Sequence, residues 1–135
     1  MLARVHSGAI VGLDGAVVRV EADYSGGMPR FDVVGLPDAA MQEARERVRY
    51  AIRNSGATFP AKRLVVSLAP ADLKKAGTAY DLPMAVGILL STRQLDAETD
   101  DTFFVGELSL DGTLRHTNGI LPLVALAKDE GFRNV

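Results

Sequence analysis

The sequence predicts an α+β protein, because strand-like and helix-like patterns both occur along its 135 residues. Two alternating apolar runs open the chain, an amphipathic helix pattern follows, and a buried strand then leads through a loop into an apolar helix. The length suits one domain with a core of its own. We therefore expect residues 1–135 to form a single domain with a mixed sheet and about three helices.

The first two strands are predicted at about residues 2–11 and 16–24. Asp14-Gly15 lies between them, and this dipeptide favours a hairpin because a type I′ turn needs positive φ at both central positions. A third strand is predicted at 31–35, after the flexible segment 25–29. Together these runs predict that a three-stranded sheet opens the domain.

The first helix is predicted from Asp38, a candidate N-cap, to the glycine cap near Ser55-Gly56. Its inward residues recur at spacings of three and four: Met41, Ala44, Val48, Ala51 and Ile52. The other face carries Arg45, Arg47, Arg49 and Arg53. A solvated face with ion pairs such as Glu43 with Arg47 is the favoured interpretation, and a nucleic-acid or partner surface is the alternative.

The central unit is a buried strand at 63–68, a loop with two lysines, and an apolar helix from Leu82 to about 91. Asp81 is the predicted cap of this helix, whose early proline is tolerated in the first turn. The loop is a candidate site for an anion, either a DNA phosphate or the carboxylate of a neighbouring subunit. A solvated loop that has lost its ancestral chemistry is the favoured interpretation, since a capping carboxylate occupies the donors that an anion needs. The residues of this candidate anion or partner contact are Lys74, Lys75, Gly77 and Thr78.

A second hairpin is predicted from strands 103–110 and 113–116, with Asp111-Gly112 as its turn. Asn118-Gly119 opens a final helix, and residues 132–135 resemble the start of another strand, which predicts that the chain is a fragment of a longer protein. The predicted inward residues of the final helix are Leu121, Val124, Ala125 and Ala127.

The composition of the chain argues against several classes of function. The formal charge of −2 gives no overall field for nucleic acid, and the absence of cysteine excludes disulfides and thiolate metal sites. The sequence has no apolar segment long enough for a membrane span or a signal peptide, so a cytoplasmic location is expected. His6 and His116 lack carboxylates at metal-ligand spacing, so no metal is predicted. No phosphate-binding glycine motif occurs, so no ATP site is expected within these residues.

Five motifs resemble the N-terminal domain of the magnesium-chelatase-like AAA+ ATPases, the ComM or YifB family: VGLPD at 34–38, FPAKR at 59–63, LAPADLKK at 68–75, YDLP at 80–83 and GELSLDG at 106–112. The resemblance implies a fold similar to ribosomal protein S5 domain 2 and to the proteolytic domain of Lon. It also implies an AAA+ module after residue 135 that uses ATP and magnesium. The full-length protein would be a hexameric DNA motor in branch migration, recombination and natural transformation.

The same resemblance places the Lon serine-lysine dyad on two aliphatic residues. Lys75 and Gly77 match the Lon loop before the nucleophile, which puts Ala79 at the serine position, and the GELSLDG block puts Leu121 at the lysine position. A dyad needs a hydroxyl and an amine, so no catalytic residue is predicted. The alternatives are a degenerate or shifted peptidase that uses Thr78, and a subunit related to magnesium chelatase.

Overall fold

The computed structural model describes residues 1–135 apart from the side chain of Asp38, so the predicted N-cap role of Asp38 lies outside the described residues. Three helices and a mixed sheet confirm the α+β class, while the S5-like and Lon-like form of it stays a prediction. The elements are β1 (Leu2–Val11), β2 (Asp14–Ser25), β3 (Arg30–Val34), α1 (Asp38–Asn54), β4 (Arg63–Ala69), α2 (Asp81–Ser91), β5 (Glu107–Leu108), β6 (Leu114–Arg115) and α3 (Ile120–Asp129).

The main sheet has the strand order β1-β2-β4-β3. Its β1–β2 and β2–β4 pairs are antiparallel, and its β3–β4 pair is parallel. The predicted three-stranded opening sheet is therefore wrong, because β4 lies between β2 and β3. Leu64, Val66 and Leu68 of β4 are buried, as expected for a central strand. Helix α1 supplies the crossover that the parallel pair requires.

The first hairpin turns two residues earlier than predicted. Val11 pairs with Asp14, so Gly12 and Leu13 form the loop. Gly12 has a φ of 64° at the first central position, where a type II′ turn needs glycine. Gly15 lies within β2, opposite Ile10. The Asp14-Gly15 dipeptide therefore begins a strand and does not make the turn.

One face of the sheet packs against α1 and α2 and forms the core. Val48 of α1 and Met84 and Ile88 of α2 are fully buried there, and the other predicted inward residues of α1 are buried or partly buried. Helix α2 approaches the sheet closely at Gly87, where an added Cβ would lie 3.3 Å from the Cβ of Ala22. Although α2 is apolar nearly all round, none of the described helices is long and apolar enough to cross a bilayer.

Helix α3 packs on the opposite face of the sheet, beside the first hairpin. An added Cβ on Gly8 would lie 2.6 Å from Cζ of Phe103, and one on Gly15 would lie 2.9 Å from Cδ1 of Leu126. Neighbouring residues of a strand alternate between faces, so both glycines lie opposite the core face. Glycine at these two positions therefore makes room for α3.

The inward side of α3 differs from the prediction. Leu123 and Leu126 are buried with Ala127, whereas Leu121 and Val124 are exposed. Ala125 is exposed as well, so only Ala127 of the four predicted inward residues is confirmed. The helix is apolar on several sides, and periodicity alone therefore does not select the side that meets Gly8 and Gly15.

The second hairpin is shorter than predicted. The Asp111-Gly112 turn is confirmed, with a φ of 92° at Gly112, but β5 and β6 contain two residues each. Phe103 pairs instead with His6, parallel to β1. The backbone N–H of Phe103 donates to the carbonyl of Asn134 at 2.9 Å. Residues 102 and 103 therefore form isolated bridges to Asn134 and to His6, and not the start of the predicted hairpin strand.

Candidate functional site

A cleft of about 640 Å³ opens beside the first hairpin, next to the loop between β4 and α2. Its walls come from the end of β1 and the following turn, from that loop, and from the segment that precedes α3. The volume is in the range of small-molecule and peptide sites, about 300–1,000 Å³. The lining residues are Gly8, Ala9, Ile10, Val11, Gly12, Lys74, Ala76, Gly77, Thr78, Ala79, Tyr80, Glu107, His116, Thr117, Asn118, Gly119 and Leu123.

Three of the four predicted contact residues line this cleft: Lys74, Gly77 and Thr78. Lys74 and Gly77 are exposed, and Thr78 is half-buried. Gly77 has a φ of 86°, and an added Cβ there would meet nothing within 4 Å. Glycine is therefore favoured at position 77 by the positive φ of the backbone and not by steric crowding.

Lys75 is not available for an anion. Its side chain is 2% exposed, and Nζ donates to the carbonyl of Pro70 at 2.6 Å and to that of Leu73 at 2.7 Å. Burial lowers the pKa of the Lys75 ammonium, although the negative charge of Asp72 raises it in part. The prediction that both lysines form one anion-attracting spot is wrong, because Lys75 holds its own loop together.

The two positions that the Lon resemblance assigns to the dyad are occupied by Ala79 and Leu121. Ala79 lines the cleft with a methyl group, and its carbonyl accepts a hydrogen bond from Gly106 N–H at 2.8 Å. Leu121 is 80% exposed and lies outside the set of residues that line the cleft. Thr78 is the one hydroxyl in the loop segment 76–80 besides the phenol of Tyr80. At the two positions that the resemblance gives to the dyad, the chain therefore has neither a hydroxyl nor an amine.

Asp81 does not cap α2 as predicted. The N-cap residue is Tyr80, and no side chain caps the helix. The Asp81 carboxylate, 1% exposed, accepts hydrogen bonds from Arg47 Nε at 2.6 Å and Nη2 at 3.1 Å, and from Leu108 N–H at 3.1 Å. Asp81 thus joins α1, α2 and β5 in one buried contact behind the cleft.

The electrostatics of this pair follow from its burial. Burial raises the pKa of the Asp81 carboxyl, while the hydrogen bonds from Arg47 and Leu108 oppose that rise. The hydrogen bond to Asp81 raises the pKa of the Arg47 guanidinium. Two oppositely charged groups in a fork-like contact stabilise each other, and removing Arg47 leaves the buried Asp81 carboxylate without a counter-charge.

The role of Arg47 was not predicted, although its position in the sequence indicates that it lies beside the apolar face of α1. Arg47 is three residues after Ala44 and four before Ala51, so it borders the apolar face of α1. The expected pair of Glu43 with Arg47 is present at 3.9 Å. Arg49 lies over the ring of Phe59, with its Cζ 4.9 Å from the ring centroid. The arginine face is therefore only partly the solvated surface that was predicted.

Four polar cleft residues were also not predicted as a group: Glu107, His116, Thr117 and Asn118. His116 Nε2 lies 3.3 Å from Asn118 Oδ1, and Glu107 N–H donates to the Thr117 hydroxyl at 3.4 Å. The short β5–β6 hairpin brings Glu107 near this segment, which spacing along the chain does not reveal. Among the described residues no group of three or more His, Asp or Glu side chains is placed to hold a metal ion.

Comparison with known proteins identifies the family. The family model described as "Subunit ChlI of Mg-chelatase" matches residues 20–135. Competence protein ComM of Haemophilus influenzae is 46% identical over 128 residues, which cover 94% of this chain and 25% of that protein. The YifB protein of Escherichia coli is 46% identical over 121 residues, or 89% of this chain and 24% of that protein.

A protein of Mycobacterium tuberculosis is also 46% identical, over 132 residues that cover 97% of this chain and 26% of that protein. The chain thus spans about a quarter of the length of the curated relatives that it matches. The family match covers most of the chain, and the ComM and YifB relatives agree with it. The chain belongs to the magnesium-chelatase-like ChlI family, with homologues named ComM and YifB.

Proposed function

We propose that this chain is a non-catalytic domain of a magnesium-chelatase-like AAA+ protein. The observation that carries the proposal is the cleft, in which Ala79 occupies the predicted nucleophile position while Leu121 lies on the surface outside it. A serine-lysine mechanism needs a hydroxyl beside an amine that accepts its proton. The one buried lysine of the loop donates to two carbonyls, so it is not free to act as that base.

The longer protein is proposed to be an ATP-dependent, hexameric DNA motor in branch migration, recombination and natural transformation. Support comes from the family match and from a relative whose name contains the word competence. In this proposal the domain contributes to assembly or to the DNA channel. ATP and magnesium act in a module beyond residue 135, so the 135-residue chain should not bind ATP in calorimetric titration.

Peptidase turnover tests the non-catalytic assignment. Incubation of the 135-residue chain with unfolded protein and with fluorogenic peptides should release no product above a buffer control. Thr78→Ala is the matched variant, because Thr78 is the hydroxyl nearest in sequence to the Ala79 position. Product release by the parent chain that disappears in Thr78→Ala would establish a shifted peptidase instead. Release that survives the change would identify a contaminating protease.

Salt dependence of DNA binding tests the DNA role. The structure leaves Lys74 as the exposed lysine of the loop, so Lys74→Ala in the full-length protein should weaken binding and reduce the salt slope by about one unit. The control is Lys128→Ala, which removes an exposed lysine charge that lies outside the cleft. An unchanged slope in Lys74→Ala, with hexamers intact by light scattering, removes DNA contact at this loop; loss of hexamers assigns Lys74 to a subunit interface.

A further inference from the structure

The outer edge of β1 is partly unpaired where it enters the cleft. Phe104 N–H donates to the carbonyl of His6 at 2.8 Å, which shows that this carbonyl faces away from β2. Backbone groups of successive strand residues alternate in direction, so those of Gly8 and Ile10 face the same way as those of His6. Residues 8–12 line the cleft, and no described backbone or side-chain group bonds to the outward side of Gly8 or Ile10.

The pairing that covers β1 stops before Gly8. Phe103 forms an isolated parallel bridge with His6. The chain then turns away, since Gly106 N–H donates to the carbonyl of Ala79 and Leu82 N–H donates to that of Gly106. The gap between the β1 edge and the loop wall at residues 76–79 therefore begins where an existing strand pairing ends.

The two edges of the sheet differ in their protection. At the β3 edge, Arg30 and Asp32 form an ion pair at 2.8 Å, and such charges discourage strand addition. The β1 edge has the sequence SGAIVGL at residues 7–13, without a charge or a proline. Ile10 and Val11 are 42% and 47% exposed. An unprotected, apolar edge inside a cleft is suited to pairing with another strand.

We propose that the β1 edge at residues 8–11 binds an extended peptide segment of another protein as an added β-strand within the cleft. The outward groups of Gly8 and Ile10 supply the backbone hydrogen bonds, and they repeat about every 6.8 Å, the period of two strand residues. Leu123 and Ile10 offer apolar contact to alternate side chains of the peptide, while Lys74 and His116 line the polar part of the cleft. The proposal goes beyond the non-catalytic assignment and does not depend on the DNA role.

Binding can be measured with capped hexapeptides in which threonine alternates with valine, leucine, phenylalanine, glutamate or lysine. Each is titrated into the ¹⁵N-labelled chain and followed by NMR. At least one should give saturable shifts centred on the amides of Gly8 and Ile10, with slower hydrogen exchange at both. The same peptide methylated on every amide nitrogen keeps its side chains but cannot donate, and it should bind about tenfold or more weakly.

Two variants at one position test the backbone pairing from the protein side. Ile10→Pro removes an outward N–H that the β1–β2 ladder does not use, and proline is tolerated at such edge positions. It should weaken binding about tenfold, whereas Ile10→Ala, which keeps the N–H, should stay within about threefold. If Ile10→Pro fails to fold by circular dichroism, the comparison of methylated and unmethylated peptides decides the question on the parent chain.

Several results would overturn the proposal. They are the absence of saturable shifts with every peptide, shifts confined to residues outside the cleft, and equal binding of the methylated peptide. A concentration-dependent dimer that protects Gly8 and Ile10 without any peptide would show that a second copy of this chain occupies the edge. Peptide cleavage during the titration would overturn the non-catalytic assignment but not strand addition, so the two failures are distinguishable.

Discussion

Replacing Arg47 by alanine should destabilise the protein more than any other single arginine substitution on α1. Asp81 is 1% exposed, and it loses two hydrogen bonds at 2.6 and 3.1 Å while keeping only Leu108 N–H. Removing one partner of a buried ion pair costs about 3–5 kcal/mol, and we expect a cost near the lower end of that range because the Arg47 side chain is 22% exposed. Arg53, in the last turn of the same helix and exposed, is the matched control, and Arg53→Ala should cost less than about 0.5 kcal/mol.

The loss should depend on pH with a definite sign. In Arg47→Ala the Asp81 pKa is raised further, because burial still disfavours the carboxylate and the opposing arginine is absent. A carboxyl whose folded pKa exceeds its unfolded value contributes most stability below the unfolded pKa and loses it as pH rises through the folded pKa. The deficit of Arg47→Ala relative to the parent chain should therefore shrink as the pH is lowered toward about 4, the range in which an aspartate of the unfolded chain titrates.

The free energy of unfolding can be measured at several pH values by urea unfolding followed by circular dichroism. The chains compared are the parent, Arg47→Ala, Arg53→Ala and the double variant Arg47→Met/Asp81→Leu. The double variant removes both charges and fills the space, so it should be more stable than Arg47→Ala. A cost below about 1 kcal/mol for Arg47→Ala, or a cost that does not change with pH, would refute the claim that the buried Asp81 carboxylate is coupled to Arg47.

Two further predictions concern the backbone and the cleft wall. Gly35→Ala should cost about 2 kcal/mol or more in thermal unfolding, because Gly35 has a φ of 102° and an added Cβ would clash with the backbone carbonyl oxygen of Leu68. Gly56→Ala, with a φ of 93° but open space, should cost only about 1 kcal/mol, and equal costs would refute the steric argument. Burial raises the pKa of Tyr80 from 10.0 to about 12, so stability should fall as pH rises between those values, and the phenolate absorbance step near pH 12 should vanish in Tyr80→Phe.

Local patterns predicted most of the elements of this fold. The helix bounds at 38–55 and 82–91, the strands of the first hairpin and the Asp111-Gly112 turn all follow from periodicity and turn chemistry, and the structure confirms them within about two residues. Strand order did not follow, because Leu64 and Val66 show that β4 is buried but not which strands lie beside it. The buried side of α3 was also not predicted, because it is set by contact with Gly8 and Gly15 of the first hairpin, which lie far away along the chain.

The candidate site was predicted only in part. Lys74, Gly77 and Thr78 line the cleft as a group, but the sequence could not show that Lys75 turns back onto the Pro70 and Leu73 carbonyls. The cap role of Asp81 was wrong, because a carboxylate at a helix start has the same local signature whether it caps or pairs with a distant arginine. Long-range partners such as Arg47 and Leu108 become visible only in three dimensions.

The claim that the cleft holds no working nucleophile can be tested with a fluorophosphonate probe, which reacts with an activated hydroxyl. The 135-residue chain is incubated with the probe, and its intact mass is then measured. We predict an unchanged mass, because Ala79 stands at the position that the resemblance gives to the nucleophile and the Lys75 amine is held by two carbonyls. A single adduct that maps to Thr78, and that is lost in Thr78→Ala and on denaturation before labelling, would contradict the non-catalytic assignment by revealing a working nucleophile in the cleft.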